Sequence, residues 1–198
     1  MKKVYIIPGF LESASFKRYK KVIELLRKKD FIVIGVRIDW KKQSMHDYVE
    51  QFLKTMPEKN SYILGFSYGA MIALLSARKV KPKILILCSM SPYFKEDLDA
   101  TISAYGKKLE KHHTKRLLEG FKKYPFGSIA RHVMCKTVLI AGDKETVIRG
   151  KNYRLVLNRA KDAKAKIKNS QLIIVKNGKH DIAQKEYNAA LRKVINKL

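Results

Sequence analysis

The sequence predicts an α/β fold, a three-layer α/β/α sandwich around a six-stranded, mostly parallel sheet. Three observations predict it. Short continuous apolar runs alternate with longer segments whose apolar residues recur at helical spacing. The short runs lack a polar face, which suits strands covered by helices on both sides. A glycine-rich turn, Gly65 to Gly69, falls where one such strand passes into one such helix.

Val4-Tyr5-Ile6-Ile7 is the first strand, ended by Pro8-Gly9. Phe16 to Lys29 carries Tyr19, Val22, Ile23 and Leu26 at helical spacing. Phe31 to Ile38 is continuous and β-branched, hence a second strand. Tyr48, Val49, Phe52, Leu53 and Met56 mark a helix stopped at Pro57. Tyr62-Ile63-Leu64 is the third strand, and Ala70 to Arg78 continues beyond the turn as a helix. Ile84 to Leu87 is the fourth strand and Thr137 to Ala141 the fifth, followed by a helix near Tyr153 to Ala165. Leu172 to Val175 is the sixth strand, and an amphipathic helix from Glu186 to Leu198 closes the pattern.

One stretch breaks the rhythm. Residues 91–134 hold mixed helical pattern, His112-His113 and several aromatics, but no strand-like run. Right-handed crossovers put this stretch at the C-terminal edge of the sheet, where a cap or lid sits. It is either a cap-like helical insertion or an elaborated crossover within one domain spanning 1–198.

Composition bounds the function. No apolar run is long enough to span a membrane. Lys2-Lys3 before an apolar stretch imitates a signal peptide, yet Pro8-Gly9 ends that stretch after four residues and no small-residue cleavage site follows. Two cysteines, Cys88 and Cys135, cannot build a disulfide scaffold, so a reducing, cytoplasmic setting is expected. The formal charge is +26, the usual footprint of a nucleic-acid or anionic-membrane binder. However, 33 of the basic residues are lysines dispersed over every segment against 10 arginines, and no zinc-finger, helix-turn-helix or RNA-stacking pattern accompanies them.

The sharpest motif is Gly65-Phe66-Ser67-Tyr68-Gly69, a G-x-S-x-G between a strand and a helix. In that context Ser67 sits on a strained turn with its hydroxyl exposed above the sheet. Gly65 and Gly69 avoid collision with the neighbouring helix and strand. The helix start aims its N–H groups and dipole toward the same place. Ser67 is therefore a candidate nucleophile, the alternative being a tight turn with a solvated serine.

On this motif and its strand order the chain resembles the α/β-hydrolase superfamily, and within it the small serine hydrolases and esterases. The resemblance runs from Lys3 to the final helix and implies a core lacking the family's first strands. It implies a triad in the order serine, acid, histidine. The acid belongs in the loop after the next-to-last strand. There Gly142-Asp143-Lys144-Glu145 matches the family's G-x-x-D, which makes Glu145 the acid and Asp143 its alternative. The histidine belongs after the last strand, where Gly178-Lys179-His180 carries Lys179 inside the family's usual Gly-His. His46, His112, His113 and His132 lack that chain position. The resemblance also places an oxyanion hole on the N–H of Tyr68 and, in Pro8-Gly9-Phe10-Leu11, on that of Phe10, with Leu11 as its alternative. Cys88-Ser89-Met90 and Trp40 lie near the site, as pocket wall or as packing.

The resemblance implies a hydrolase of a carboxylic ester or thioester that needs no metal or organic cofactor. Its partner would be a small molecule, an anionic one being favoured by the charge. A hydrolase-fold protein with a vestigial triad, binding nucleic acid or lipid through its basic surface, is the competing reading. An amide or carbon–carbon bond hydrolase using the same site is another.

Overall fold

The computed structural model describes residues 2–42, 44–106, 114–145, 147–148, 151–152 and 154–198. Six parallel strands form one sheet: β1 (Lys2–Ile7), β2 (Phe31–Gly35), β3 (Tyr62–Phe66), β4 (Ile84–Cys88), β5 (Lys136–Gly142) and β8 (Ser170–Val175). Their order across the sheet is β2-β1-β3-β4-β5-β8. Two further strands, β6 (Val147–Ile148) and β7 (Lys151–Asn152), make a small antiparallel ribbon after β5. All six predicted strands are present, and the sheet is parallel throughout.

Among the described residues the helices are α1 (Lys20–Arg27), α2 (Met45–Lys54), α3 (Tyr68–Val80), α4 (Leu98–Tyr105), α5 (Lys115–Phe121), α6 (Phe126–Arg131), α7 (Leu155–Lys166) and α8 (Lys185–Ile195). The period of two along each strand sorts the layers. Val4, Ile6, Leu64, Ile86 and Ile140 point to the side covered by α1 and α8, with Tyr19, Leu26, Tyr187 and Leu191. Tyr5, Ile7, Ile63, Leu85 and Leu139 point to the side covered by α2, α3 and α7. Each aliphatic side chain so buried contributes roughly 1.5–3 kcal/mol. The central helix α3 is apolar nearly all round and buried from Tyr68 to Leu74, as a helix enclosed on every side must be. It stops where Lys81 turns left-handed (φ 53°) before Pro82.

Element boundaries shift by a few residues from the sequence expectation, and two of the shifts have a local description. The predicted helix from Phe16 begins as a 3-10 turn, Lys17–Tyr19, because Phe16 is extended at φ −62°, ψ 146°. The second strand ends at Gly35 rather than Ile38, although the Val36 N–H still donates to the Ile6 carbonyl at 2.9 Å. Residues 91–134 contain α4, α5 and α6 and, among the described residues, no strand. His112, His113 and Tyr153 lie outside the described residues.

The register aligns the strand ends. Ile7 faces Gly65, Phe66 faces Cys88, Cys88 faces Ile140 and Gly142 faces Val175. The loops that follow β1, β3, β4, β5 and β8 therefore open on one edge of the sheet, the carboxyl edge where α/β sheets place their sites.

Candidate active site

Ser67 bridges β3 and α3 at φ 55°, ψ −116°, a conformation L residues adopt only when the surroundings force it. The flanking glycines do the forcing. A Cβ on Gly65 would lie 2.3 Å from the Gly69 carbonyl oxygen. One on Gly69 would lie 2.0 Å from that of Ile7. The turn is thus pressed between its own helix and the end of β1. The Ser67 N–H donates to the Cys88 carbonyl at 2.8 Å, which ties the turn to β4.

His180, in the loop between β8 and α8, stands over this turn. Its Nε2 is 2.9 Å from Ser67 Oγ, and its Nδ1 is 2.9 Å from Glu145 Oε2. With the His180 ring neutral, one arrangement of protons satisfies both of its contacts. A carboxylate only accepts, so Nδ1 carries the hydrogen and donates to Glu145. Nε2 is then the bare nitrogen and accepts the Ser67 hydroxyl proton. Ser91 Oγ lies 3.0 Å from Ser67 Oγ, and since Ser67 has spent its one proton on His180, Ser91 is the donor there.

Glu145 is held on both oxygens. Its side chain is 1% exposed. Oε1 accepts from the Ser89 hydroxyl at 2.8 Å and from the Gly142 N–H, while Oε2 serves His180. Ser89, at φ 48°, turns after β4 much as Ser67 turns after β3. Its hydroxyl also meets that of Tyr187 from α8 at 2.7 Å, and Tyr187 donates to the Ile140 carbonyl at 3.0 Å. Burial holds the Tyr187 phenol well above its ordinary pKa, so it stays protonated as a neutral prop.

Of the two candidate acids, Glu145 is the one on His180. Asp143 makes no hydrogen bond to His180. Its N–H donates to the Val175 carbonyl at 3.2 Å, and its buried Oδ1 has no hydrogen-bond partner among the described residues. His46 and His132 are exposed and remote in the chain, His132 Nδ1 donating to the Ser128 carbonyl at 2.7 Å. Burial pushes the Cys88 thiol well up, with the Glu145 charge adding to the effect, so Cys88 is packing rather than a nucleophile.

The loop after β1 completes the edge. Phe10 packs on the Tyr68 ring at 4.9 Å and on Trp40 at 5.5 Å, and Leu11 is left-handed at φ 60°. The Trp40 indole N–H donates to the Glu12 carbonyl at 2.9 Å, which makes Trp40 a brace for this loop. Tyr68 is the first residue of α3, at the positive end of its dipole. Beyond it, Tyr93 lies 5.3 Å from the Tyr68 ring and stacks on Phe121 of α5 at 5.1 Å.

The fold has solved counterparts. The chain superimposes with a TM-score of 0.76 on Est1E from Butyrivibrio proteoclasticus with ferulic acid bound, at 12% identity, covering all of this chain and 87% of that one. An esterase from Exiguobacterium antarcticum gives 0.74 at 14% identity, covering all of this chain and 91% of that one. MGS-MChE2, an α/β hydrolase from a lagoon-sediment metagenome of Mar Chica, Morocco, gives 0.70 at 18% identity, with coverage of 99% and 91%. No protein-family model matches the chain, and no curated protein matches it in sequence. The architecture is that of the α/β hydrolases. No helix among the described residues is long and apolar enough to cross a membrane.

Proposed function

We propose that the protein is a serine hydrolase that cleaves a carboxylic ester or thioester with a short to medium acyl group. The observation that carries the reading is the hydrogen-bonded chain from Ser67 Oγ through His180 to Glu145, with 2.9 Å at each step. Ser67 attacks the carbonyl carbon while His180 Nε2 takes its proton. Glu145 keeps the ring in its Nδ1–H tautomer and stabilises the imidazolium. The tetrahedral oxyanion is held by the N–H groups of Tyr68 and Phe10 (Leu11 is the alternative to Phe10). His180 returns the proton to the departing alcohol or thiol, leaving Ser67 acylated. Water, deprotonated by His180, then attacks the acyl carbon and releases the acid and free Ser67.

The neighbours named as esterases support an ester substrate, and the charge of +26 favours an anionic one. In this reading residues 91–134 are a cap-like insertion in a single domain, with Tyr93 and Phe121 lying over the Tyr68 side of the site. The free cysteines Cys88 and Cys135 accord with a cytoplasmic setting.

A fluorophosphonate probe followed by peptide mapping tests the reading. Labelling at Ser67, absent from Ser67→Ala, together with turnover of a p-nitrophenyl ester series is the expected result. An unlabelled Ser67 in a folded protein overturns it. Tight, sequence-tolerant binding of DNA or RNA at physiological salt without ester turnover points to the binding protein instead.

A further inference from the structure

Arg18 joins two loops of the site that are far apart in the chain. Its Nη1 donates to Glu12 Oε1, in the loop after β1, and its Nη2 donates to Asp181 Oδ1 at 2.9 Å, next to His180. Each end of this bridge is anchored to something that matters. Glu12 Oε2 accepts the Gly9 N–H at 3.2 Å and the Tyr19 hydroxyl, so residues 9–12 wind around their own carboxylate. That turn is the one that presents the backbone of Phe10. Asp181 Oδ1 also accepts the Ala183 N–H at 3.0 Å, which fixes the chain just beyond His180. The guanidinium lies 5.7 Å from the centre of the Phe66 ring, and the Phe66 ring lies 5.0 Å from that of His180.

We propose that Arg18 is a positioning residue, clamping the oxyanion loop to the histidine loop through Glu12 and Asp181. The inference rests on the serine-hydrolase reading above. A surface ion pair of this kind would contribute little by itself. Two facts raise this one. Glu12 is mostly buried, at 14% side-chain exposure, so its charge has little water to fall back on. The planar guanidinium reaches two carboxylates with separate nitrogens, a task that a single ammonium point charge cannot repeat. The clamp thereby sets the distance between the proton-transfer nitrogen and the oxyanion donors, and a shift of about 1 Å in such a distance costs on the order of 100-fold in rate.

The test compares Arg18→Met and Arg18→Lys with the parent in p-nitrophenyl ester turnover, with circular dichroism and thermal melting to verify folding. The expected result is a kcat lower by about 10- to 100-fold in Arg18→Met with KM nearly unchanged, and only part of it regained in Arg18→Lys. Millimolar guanidinium ion should restore part of the Arg18→Met rate and leave the parent unchanged. A parental kcat in folded Arg18→Met, or a loss of melting temperature alone, overturns the clamp. A second readout does not depend on turnover. The Nδ1–H proton resonance of His180 should be sharp in the parent and broadened in Arg18→Met, and an unaltered resonance overturns the clamp. If the parent gives the resonance but no labelling at Ser67, the hydrolase reading fails and the clamp is judged on the resonance.

Discussion

A side chain on Gly142 would place its Cβ 2.2 Å from the carbonyl oxygen of Gly178. These two glycines press the acid loop against the histidine loop, and the Lys144 N–H donates to that same Gly178 carbonyl at 2.9 Å. The close approach lets Glu145 and His180 meet although β5 and β8 end side by side with no room for larger residues.

Gly142→Ala should therefore separate the loops. The expected cost is about 1–3 kcal/mol of stability, the usual range for overpacking, together with loss of most Ser67 labelling. Gly120→Ala is the control. Its Cβ would meet nothing within 4 Å on α5, so a gain of about 0.5–1 kcal/mol is expected there. Thermal melting and probe labelling of both variants check the contrast.

Glu145→Gln keeps the shape of the acid but cannot hold His180 in the Nδ1–H tautomer as a carboxylate does. Turnover should fall by roughly 10³- to 10⁴-fold. Asp143→Asn, which alters no hydrogen bond to His180, should stay within a few-fold of the parent. Equal losses in the two variants would count against Glu145 as the acid.

Arg159 pins α7 to Asp97, at the start of α4. It is 5% exposed and forks onto Asp97, with Nε on Oδ2 at 2.9 Å and Nη2 on Oδ1, while Nη1 reaches Asp162 at 2.6 Å. Its guanidinium also lies 4.1 Å from the Phe126 ring centre. Arg159→Met leaves Asp97 without its cation and should cost about 3–5 kcal/mol. Probe labelling at Ser67 should persist at low temperature. Adding Asp97→Asn should recover part of the loss in a melting experiment, since the stranded charge is then gone.

Acid should loosen the histidine loop. Burial pushes the Asp181 carboxyl up, but the Ala183 N–H and the Arg18 guanidinium outweigh it and hold it below its ordinary value. The unfolded chain thus binds this proton more readily than the folded one. The contribution of Asp181 to stability is complete above the ordinary carboxylate range and is lost as pH falls through the lowered value. Melting temperature should drop more steeply in acid for the parent than for Asp181→Asn. The two curves should converge at low pH. Parallel curves would remove Asp181 from the acid response.

The six strands were legible because each is a continuous apolar run, a signal that survives ragged boundaries. The ribbon of β6 and β7 was not, since two residues per strand carry no period. Ser67, His180 and Glu145 were reachable through motif and chain order. The position in G-x-x-D pointed to Glu145 over Asp143, whereas the local fold-back that seats it, Gly142 N–H onto Glu145 Oε1, is encoded by no composition rule. Tyr187, Ser91, Glu12 and Arg18 were not singled out, and Ser89 only as pocket wall or packing, because most of their contacts join segments distant in the chain. One signal existed for Ser89. It follows β4 at the register position that Ser67 holds after β3, so a residue there was bound to open on the same edge.

The placement of Tyr187 against Ser89 has a consequence for how the molecule comes into being. The props of Glu145 come from β4 and α8, and its partner His180 comes from the turn just before α8. Parallel sheets assemble through contacts between distant segments and do so late. On the proposed reading, Ser67 is synthesised before the segments that carry Glu145 and His180 and stays an ordinary alcohol until these two side chains reach it. The nascent chain would then be chemically silent, and reactivity toward a probe would mark the molecules that have finished folding.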